Sequence, residues 1–426
     1  MAVSISRPRG TADITPEAIY KWHFIESVAA GVARDFGFRE IRFPTFEYTE
    51  LFQRGVGDTT DVVQKEMYTF EDKGGRSITL RPEGTASAVR ANLENSVFAA
   101  GLPVKEYYVT SIYRYDKPGM GRYREHHQFG VELFGSEDAS SDAEVITLGA
   151  EYLRRLGVNN VRLEINSIGC PNCRPKYMEA LKEYFNARID KLCDTCRERL
   201  ERNPLRILDC KSEICRSVAK DAPSGLEFLC GDCVDHFEKL KKYLNVSGLE
   251  FTVNSRIVRG LDYYTRTVFE FLADGIGGLA VIGGGRYDGL VSTLGGSHTP
   301  GLGFGSGIER MLLAMDAERA EIEKPGGVNV FIAAADNNAD ELIQKLVNEL
   351  RKLRISAERD IMGRSLKAQL KYADRSGALY SLVIGGDEIA SGHGTLKPMR
   401  GNSESVSVEL NAAAIAKSIR YIPERG

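Results

Sequence analysis

The chain has 426 residues, of which 42% are hydrophobic and 27% charged, so it is long enough for two or more domains with full cores. Its 56 basic residues against 59 acidic ones give a formal net charge of −3, which excludes a chain that binds nucleic acid through global positive charge. No apolar run approaches the roughly 20 residues needed to span a bilayer, and Pro, Gly and Asp follow Arg7 and Arg9 where a signal peptide would be apolar. We therefore expect a cytoplasmic protein without a membrane segment.

The N-terminal part of the chain begins with a helical pattern and continues with strands. A helix is predicted from Lys21 to Phe36, and the glycine that follows suits its C-terminal cap. Residues 38–48 alternate between apolar and charged side chains, but Pro44 places this segment at a sheet edge or a bend. Ile78 and Leu80 then predict a short strand.

Two long strand patterns joined by a loop rich in Pro and Gly predict an antiparallel hairpin. Its strands are Tyr107–Tyr115 and Glu125–Gly135, and its loop is Asp116–Arg122. Gln128 and Glu132 are four residues apart, so the strand period of two places both on one face. Charged and amide side chains are poor core material, so this face is better explained as the wall of a pocket than as a structural sheet face.

A helix over Asp142–Leu156 and a strand over Val161–Ile165 precede a segment that contains all eight cysteines. The cysteines form four pairs with spacers of two to four residues: Cys170 with Cys173, Cys193 with Cys196, Cys210 with Cys215, and Cys230 with Cys233. This spacing is typical of tetrahedral zinc sites, and a cytoplasmic context disfavours disulfides. Structural zinc, one or two disulfides and free buried thiols nevertheless all remain open.

The stretch from Ile257 to Glu270 combines a loop of polar and aromatic residues with a buried strand. Arg259 needs an anionic partner and is well suited to phosphate. Tyr263 and Tyr264 offer rigid walls and hydroxyl groups for a small polar ligand. On the residues alone, a surface loop with an ordinary salt-bridged arginine explains the stretch equally well.

Two glycine-rich segments follow. Three successive glycines, Gly283–Gly285, allow close approach of the backbone to a ligand, although such a run is often only a turn. Residues 301–310 read as a glycine-rich strand that leads into an apolar helix, with a glycine spacing that does not fit a dinucleotide fold.

Residues 321–327 have the composition of a linker, and an alternation of strands and helices beyond it predicts an α/β domain with a mixed sheet. The predicted strands are Val328–Ala334, Ile355–Arg359 and Ala378–Ile384, and the predicted helices are Ala339–Leu353 and Gly363–Asp374. Four basic residues recur at helical spacing opposite an apolar face: Arg364, Lys367, Lys371 and Arg375. A solvated helix face and an RNA contact explain them equally well.

The sequence Arg-Gly-Leu-Asp-Tyr-Tyr at 259–264 resembles the histidine-binding signature of histidyl-tRNA synthetases, a family of class II aminoacyl-tRNA synthetases. The resemblance covers nearly the whole chain: residues 9–11 look like the family's N-terminal Arg-Gly-Thr, residues 38–48 like motif 1, the hairpin like motif 2, residues 283–290 like the second histidine motif, and residues 301–310 like motif 3. It implies an α+β fold with an antiparallel sheet core flanked by helices. The implied domains are a catalytic domain at 1–324, a small helical Cys-rich insertion at 170–244 and a C-terminal α/β anticodon-binding domain at 325–426.

The resemblance further implies that ATP and L-histidine react to give histidyl-adenylate, whose acyl group passes to the 3′ end of tRNA(His). Arg114 and Arg259 would contact the α-phosphate, Arg310 the γ-phosphate, and Mg²⁺ would bridge the outer phosphates. Arg122 would lie near the nucleotide or the tRNA end, and Asp116 would contact adenine, although the common motif 2 has Glu where Asp116 stands. The residues expected to bind histidine are Glu83, Gly84, Thr85, Gln128, Glu132, Tyr263, Tyr264 and Tyr287.

Partners and alternatives follow from the same resemblance. Motif 1 builds the dimer interface in the family, so a homodimer is expected, and the family does not require a metal at the cysteine segment. A non-catalytic regulatory subunit of ATP phosphoribosyltransferase, from histidine biosynthesis, is the main alternative function. Such proteins typically lack the C-terminal domain and have eroded signatures, whereas both features are present here. A threonine or proline synthetase conflicts with residues 259–264 and 283–290.

Overall fold

The computed structural model describes residues 5–57, 60–210, 212–400 and 404–419. The chain divides into two compact units, Met1–Ile322 and Glu323–Gly426. Within the described ranges, no helix is long and apolar enough to cross a membrane.

The first unit combines a large sheet, a small sheet and helices. Its strands are β1 Arg39–Glu40, β2 Phe46–Tyr48, β3 Tyr68–Glu71, β4 Ser77–Leu80, β5 Val104–Tyr113, β6 Glu125–Phe134, β7 Val161–Ser167, β8 Thr252–Val253, β9 Thr265–Ala273, β10 Leu279–Arg286 and β11 Gly301–Gly307. Its α-helices are α1 Ile19–Asp35, α2 Thr49–Val56, α3 Thr85–Glu94, α4 Val97–Ala100, α5 Ala139–Arg155, α6 Arg174–Asn186, α7 Asp194–Arg202, α8 Leu205–Leu208, α9 Glu213–Ala219, α10 Gly231–Val246, α11 Leu290–Thr293 and α12 Ile308–Ala317.

The large sheet has the strand order β1-β5-β6-β11-β10-β9-β7-β8 in the described residues. Pairing is antiparallel from β5 through to β7, and only the short edge strands β1 and β8 pair in parallel. Alternate residues of these strands, such as Phe129, Val131 and Phe304, join helices α1, α5, α10 and α12 in the main hydrophobic core. The predicted antiparallel core flanked by helices is confirmed, and the opposite face of the sheet is left for polar groups.

Two predicted strands have other bounds in the structure, but the edge position expected from Pro44 is confirmed, because β1 and β2 are edge strands of their sheets. The segment 38–48 forms two short strands in two sheets, β1 in the large sheet and β2 in the small sheet β2-β4-β3. Pro44 lies between them, where its missing N–H costs no ladder bond. The first hairpin strand ends at Tyr113 rather than Tyr115, so Arg114 lies just beyond the strand end and not within it.

The described part of the cysteine segment is helical, as predicted, and has a small core of its own. That core buries Tyr177, Leu181 and Phe185 from α6 together with several of the cysteines. Helix α10, which the sequence placed inside the insertion, packs against the large sheet, because Phe237 and Leu240 belong to the main core.

The second unit contains a mixed five-stranded sheet with the order β13-β12-β14-β15-β16. Strand β12 pairs in parallel with β13 and β14, and the remaining pairs are antiparallel, which confirms the predicted mixed sheet. Its strands are β12 Val330–Ala334, β13 Ala357–Arg359, β14 Tyr380–Ile384, β15 His393–Pro398 and β16 Val406–Glu409. Its α-helices are α13 Asp340–Lys352, α14 Leu366–Ser376, α15 Gly386–Ser391 and α16 Ala412–Ser418.

The predicted basic stripe on α14 is only partly correct. The helix begins at Leu366 after the N-cap Ser365, so Arg364 precedes it. The Arg364 guanidinium pairs with Asp360 at 3.1 Å and lies 4.7 Å from the centroid of the Tyr372 ring. The exposed lysines of the stripe are Lys367 and Lys371.

Arg286 ties the N-terminal end of α5 to strand β10. Its side chain is fully buried and donates to the Asp142 carboxylate, with Nη2 2.6 Å and Nε 2.8 Å from Oδ2. Further donors reach the carbonyl oxygens of Ser136 and Asp138, the Ser141 hydroxyl and Asp288. A buried guanidinium is tolerated here because each of its nitrogen atoms has a polar partner.

We predict that Arg286→Ala lowers the free energy of unfolding of the first unit by about 3–5 kcal/mol, since it leaves the Asp142 carboxylate buried with its main counter-ion removed. Urea unfolding can be followed by the fluorescence of Trp22, the single tryptophan, which lies in the core of this unit. Arg154→Ala on α5, whose side chain is 66% exposed in its pair with Glu151, is the control and should cost less than about 1 kcal/mol. Equal losses in the two variants would contradict the assigned role of the buried pair.

Candidate active site

The face of the large sheet opposite the main core is lined with glycine residues. Gly283 of β10 lies beside Gly305 of β11, and Gly305 lies beside Gly130 of β6. A Cβ at Gly283 would collide with the Arg259 guanidinium, and one at Gly305 would collide with the Gln128 amide. The glycines therefore provide the space in which large polar side chains from a neighbouring strand and from the loop before β9 lie flat across the sheet.

Glu132 occupies the centre of this face and is buried. Its Oε1 accepts hydrogen bonds from the hydroxyls of Thr85 at 2.8 Å and Tyr108 at 3.0 Å, and its Oε2 accepts one from the Tyr287 hydroxyl. Burial raises the pKa of Glu132 to about 8, although the hydroxyl donors oppose the shift. Nearby Glu83 adds to the rise because two carboxylates repel each other when both are charged.

Glu83 is held at the beginning of α3. Its two carboxylate oxygens accept the backbone N–H groups of Thr85 and Ala86, each at 2.8 Å, so the carboxylate lies where the positive end of the helix dipole favours it. Burial raises the pKa of Glu83, while these N–H groups and the charge of Arg114 counteract the rise. Gly84, between Glu83 and Thr85, lies directly under the Tyr108 ring and leaves no room for a Cβ.

Three tyrosine rings form an aromatic wall next to the carboxylates. The ring centroids of Tyr263 and Tyr264 are 4.7 Å apart, and those of Tyr263 and Tyr287 are 5.4 Å apart. Tyr264 and Tyr287 are buried, and burial raises the pKa values of all three phenols, so their hydroxyls remain neutral donors and acceptors at physiological pH.

Arg259 extends from the loop before β9 across Gly283 to the Glu270 carboxylate, with which it forms an ion pair. Its guanidinium lies 6.0 Å from the centroid of the Tyr264 ring. The buried Nε of Arg259 has no hydrogen-bond partner among the described residues. Arg259 thus links the tyrosine wall to the positively charged end of the site, with a donor still available.

Positive charge concentrates at that end. Burial lowers the pKa of Arg310, and the charges of Arg122, Arg114 and Arg259 lower it further, so three other guanidinium groups lie within electrostatic reach of Arg310. Arg310 is held by the carbonyl oxygens of Gly121 and Ala280, at 3.1 and 2.8 Å. Such a cluster is unfavourable unless it receives a multiply charged anion.

The hairpin loop contributes two of these arginines. Arg114 donates its Nε to the Pro82 carbonyl oxygen at 2.7 Å, which orients its side chain toward the start of α3. Arg122 pairs with Asp116 across the loop at 3.4 Å. The shorter carboxylate that replaces the glutamate of motif 2 therefore pairs with an arginine of the same loop.

A neutral imidazole lies among the arginines. Burial, together with the charges of Arg114 and Arg310, lowers the pKa of His126 to about 3, so this ring is uncharged at physiological pH. The neighbouring His127 donates its backbone N–H to Glu309 of α12 at 3.0 Å and pairs with it through Nδ1 at 3.0 Å. These contacts attach the second hairpin strand to the helix that carries Arg310.

The eight cysteines form two groups of four in the insertion. Cys170 and Cys173 meet Cys230 and Cys233, and the other four cysteines form the second group, in each case with all Sγ atoms within 4.8 Å of one another. None of these eight cysteines forms a disulfide. The sequence predicted the pairs but not that one group is nested inside the other.

The structure brings the predicted histidine-binding residues to one face of the large sheet and the predicted ATP-binding residues to the hairpin end of the same sheet. Three further residues of the site were missed: Tyr108, Glu270 and His126. A detectable signal existed for Tyr108, because a glycine in the middle of strand β6 indicates close approach of a neighbouring group. The partnership of Arg259 with Glu270 depends on strand pairing and had no such local signal.

Comparisons with known proteins agree with this geometry. A family model described as histidyl-tRNA synthetase matches residues 10–311, and one described as an anticodon binding domain matches residues 329–417. The histidine–tRNA ligase of Acetivibrio thermocellus is 53% identical over 404 residues, which cover 94% of this chain and 97% of that relative. A histidine–tRNA ligase of Clostridium botulinum is 51% identical over 408 residues, which cover 96% of this chain and 97% of that relative.

A solved structure points the same way. The crystal structure of apo histidyl-tRNA synthetase from S. aureus is similar to this chain with a TM-score of 0.83 and 37% identity, and the match covers 98% of this chain and 100% of that one. The matched family model spans well over half of the chain, and the resemblance of residues 259–264 is part of a likeness along its whole length. The chain belongs to the histidyl-tRNA synthetase family, among the class II aminoacyl-tRNA synthetases.

Proposed function

We propose that this protein activates L-histidine with ATP and transfers it to the 3′ end of tRNA(His), as a histidine–tRNA ligase. The observation that supports this most strongly is the juxtaposition on one glycine-lined sheet face of a carboxylate and tyrosine pocket with a cluster of four guanidinium groups. The first suits a small polar cation and the second suits a polyphosphate.

The pocket has complementary groups for each part of histidine. The carboxylate of Glu83, with Thr85 beside it and Gln128 on the same face, is suited to the α-ammonium group. Glu132 and the Tyr264 hydroxyl are suited to the imidazole nitrogens, with the Tyr263 and Tyr287 rings as walls. An apolar amino acid would leave these buried polar groups without partners, which is an effective basis for rejecting it.

The guanidinium cluster is suited to ATP. Arg114 and Arg259 would contact the α-phosphate from two sides, and Arg310 the γ-phosphate, while Asp116 and Arg122 would contact the nucleotide from the hairpin loop. The carboxylates of Glu270 and Asp116 offer the hard oxygen ligands that would hold Mg²⁺, which would supply further positive charge to neutralise the phosphates. Phosphoryl chemistry of this kind depends on positioning and charge neutralisation more than on covalent catalysis.

The proposed reaction has two steps. A carboxylate oxygen of histidine attacks the α-phosphorus of ATP in line, and the bond to pyrophosphate breaks. The terminal ribose hydroxyl of the tRNA then attacks the carbonyl carbon of histidyl-adenylate, and AMP leaves. Arg114 and Arg259 would stabilise the negative charge that builds up around the α-phosphorus in the first step.

The two units would divide the work. We assign adenylate formation to residues 1–324, with the insertion at 170–244, and contact with the anticodon arm to residues 325–426. The match of residues 329–417 to an anticodon-binding family model supports the second assignment. Lys367 and Lys371, both exposed on α14, are candidates for contact with the RNA backbone. A cytoplasmic location is part of this proposal.

A homodimer is also part of the proposal, and the small sheet supports it. Register places Phe46, Tyr48 and Phe70 on one face of that sheet, together with Ile78 at its centre. These aromatic side chains are 56%, 55% and 49% exposed in the single chain. A contiguous exposed aromatic face is typical of a surface that a partner covers, and we assign a second copy of this chain as that partner.

The regulatory-subunit alternative has less support. Two relatives named as ligases match 94% and 96% of this chain, which includes most of the C-terminal unit that the regulatory proteins typically lack. The two functions are separated by ATP–pyrophosphate exchange with each of the twenty amino acids offered alone. Exchange with histidine only is expected. Folded protein without exchange for any amino acid would refute the ligase function and favour the regulatory one.

Arg259→His should reduce histidine-dependent pyrophosphate exchange by at least about a hundredfold, because the variant loses a charged donor that acts on the α-phosphate in the transition state. Arg154→His, on the exposed side of α5, is the control and should retain exchange within about twofold. Circular dichroism of both variants checks the fold. Near-normal exchange by a folded Arg259→His protein would eliminate the proposed role.

Glu132→Gln should change the pH dependence of stability. Between about pH 4.5 and about pH 8, the unfolded chain releases the Glu132 proton that the folded chain retains, so this residue makes the wild type less stable as pH rises. Relative to wild type, the variant should therefore gain about 2 kcal/mol in free energy of unfolding between about pH 5.5 and about pH 7.5. Trp22 fluorescence in urea gives the measurement. Glu179→Gln, at an exposed position on α6, is the control, and parallel pH profiles for both variants would contradict the raised pKa.

Phe46→Glu combined with Tyr48→Glu should convert a dimer into a monomer, because burial of two carboxylates against an apolar partner face is costly. Sedimentation velocity at micromolar concentration measures the change. Val246→Glu, at a position 87% exposed on α10, is the control and should remain dimeric. A double variant that still sediments as a dimer would show that the interface lies elsewhere.

A further inference from the structure

The two cysteine groups have the dimensions of four-thiolate zinc sites. Sulfur–sulfur distances are 3.6 Å for Cys170–Cys173, 3.7 Å for Cys173–Cys233 and 3.9 Å for Cys170–Cys230. A regular tetrahedron with zinc–sulfur bonds of about 2.3 Å has edges of about 3.8 Å. A disulfide would need about 2.05 Å, so the observed spacing fits a shared central ion and not a covalent bond.

We propose that each group binds one zinc ion through four thiolates, and that the zinc-bound insertion holds the Arg259–Tyr264 loop in position for histidine. The second part rests on the proposed function, because it takes this loop as part of the histidine site. The first part depends only on the thiols.

The first group closes the base of the insertion. Cys170 and Cys173 follow β7, where the chain leaves the sheet, and Cys230 and Cys233 lie at the start of α10, where it returns. Arg174, next to Cys173, donates its Nη2 to the carbonyl oxygen of Tyr264. A zinc ion in this group would therefore fix the residue that holds the C-terminal end of the loop.

The second group brackets the residues that hold the middle of the loop. Cys196 and Cys210 lie on either side of Asn203 and Arg206, with Cys193 and Cys215 completing the set. The Cys193 and Cys210 sulfurs are 3.9 Å apart. A zinc ion here would close the short segment between Cys196 and Cys210 and restrict its conformations.

Arg206 and Asn203 contact the loop directly. The buried Arg206 guanidinium donates to the Gly260 carbonyl oxygen and to Asp262 Oδ1, the latter at 3.2 Å. Asn203 donates its side-chain amide to the same Asp262 oxygen at 3.0 Å. The contacted residues Gly260 and Asp262 are the chain neighbours of Arg259 and Tyr263, respectively. The contacts therefore position the loop without themselves reaching the histidine pocket.

Packing argues that the insertion needs the metal. Its core is small, and Cys196, Cys210 and Cys215 form part of it, with Val258 of the loop packed against it. A segment of this size has little apolar surface to bury, and small domains of this kind are commonly stabilised by a structural metal. Loss of zinc would loosen the insertion and the loop together.

The first experiment counts metal in the full-length protein by plasma mass spectrometry. Two zinc ions per chain are expected, and one in Cys196→Ser and in Cys233→Ser. If these variants do not fold, titration of the wild type with a mercurial reagent should release two zinc ions for eight thiols. A wild type with fewer than about 0.2 zinc per chain, or with iron in its place, would overturn the proposal.

The second experiment tests the loop with Arg206→Ala. Zinc content should stay at two, the KM for histidine in pyrophosphate exchange should rise about tenfold, and the KM for ATP should change by less than about twofold. Arg206→Lys, which keeps a cationic donor, should recover part of the loss, and Arg202→Ala, exposed on α7, should behave as wild type. An unchanged histidine KM would overturn the positioning role.

A readout independent of activity separates this inference from the proposed function. Amide hydrogen exchange of residues 258–264 should be at least about tenfold faster in Arg206→Ala than in wild type and Arg202→Ala. A wild type without pyrophosphate exchange would refute the ligase function. The zinc count and the amide hydrogen exchange of the loop would still test this inference independently. Unchanged amide hydrogen exchange of the loop in Arg206→Ala would refute the coupling between the insertion and the loop, whatever the activity of the enzyme.

Discussion

Close approach across a glycine-lined sheet is the constraint on which this site depends. The inner face of β6, β11 and β10 must carry Glu132, Gln128 and Arg259 lying flat, and each of them occupies space that a Cβ on the neighbouring strand would fill. The outer face of the same strands is free to be apolar and forms the main core with the helices. One set of strands therefore provides both stability and a polar floor, because successive side chains point to opposite faces.

Charge is separated along that floor. The carboxylates of Glu83 and Glu132 lie at the tyrosine end, where burial favours their protonated forms, and the guanidinium groups lie at the hairpin end, where they repel one another. The protein compensates part of these charges, through hydroxyl and backbone N–H donors to the carboxylates and through the pairs Arg259–Glu270 and Arg122–Asp116, while repulsion remains at each end. A ligand that is cationic at one end of the site and polyanionic at the other relieves both, which is the charge distribution of an amino acid beside ATP.

The insertion illustrates how a segment outside the sheet can act on its chemistry. It contacts the Arg259–Tyr264 loop through backbone carbonyl oxygens and through Asp262. It therefore constrains the position of the loop, while Arg259 and the tyrosines of the loop face the pocket. Thiolate sites are well suited to this task because they rigidify a small helical segment without a large core. The polar groups on the sheet and the support from the insertion are physically distinct.

The sequence by itself determined many of the helices and strands, the mixed C-terminal sheet and, through the family motifs, the antiparallel core and the residues to examine, because alternation and turn residues are local properties and the motifs are continuous stretches. It gave no indication of α2, β15, β16 or α16. Only the tertiary structure decided the partners. Strand register and packing decide that Arg259 pairs with Glu270 and that Tyr108 covers Gly84 and Gly130. They also decide that Arg364 precedes its helix and pairs with Asp360, and that one group of four cysteines lies within the other along the chain. Register and packing depend on contacts between residues far apart in the chain, which no local pattern encodes.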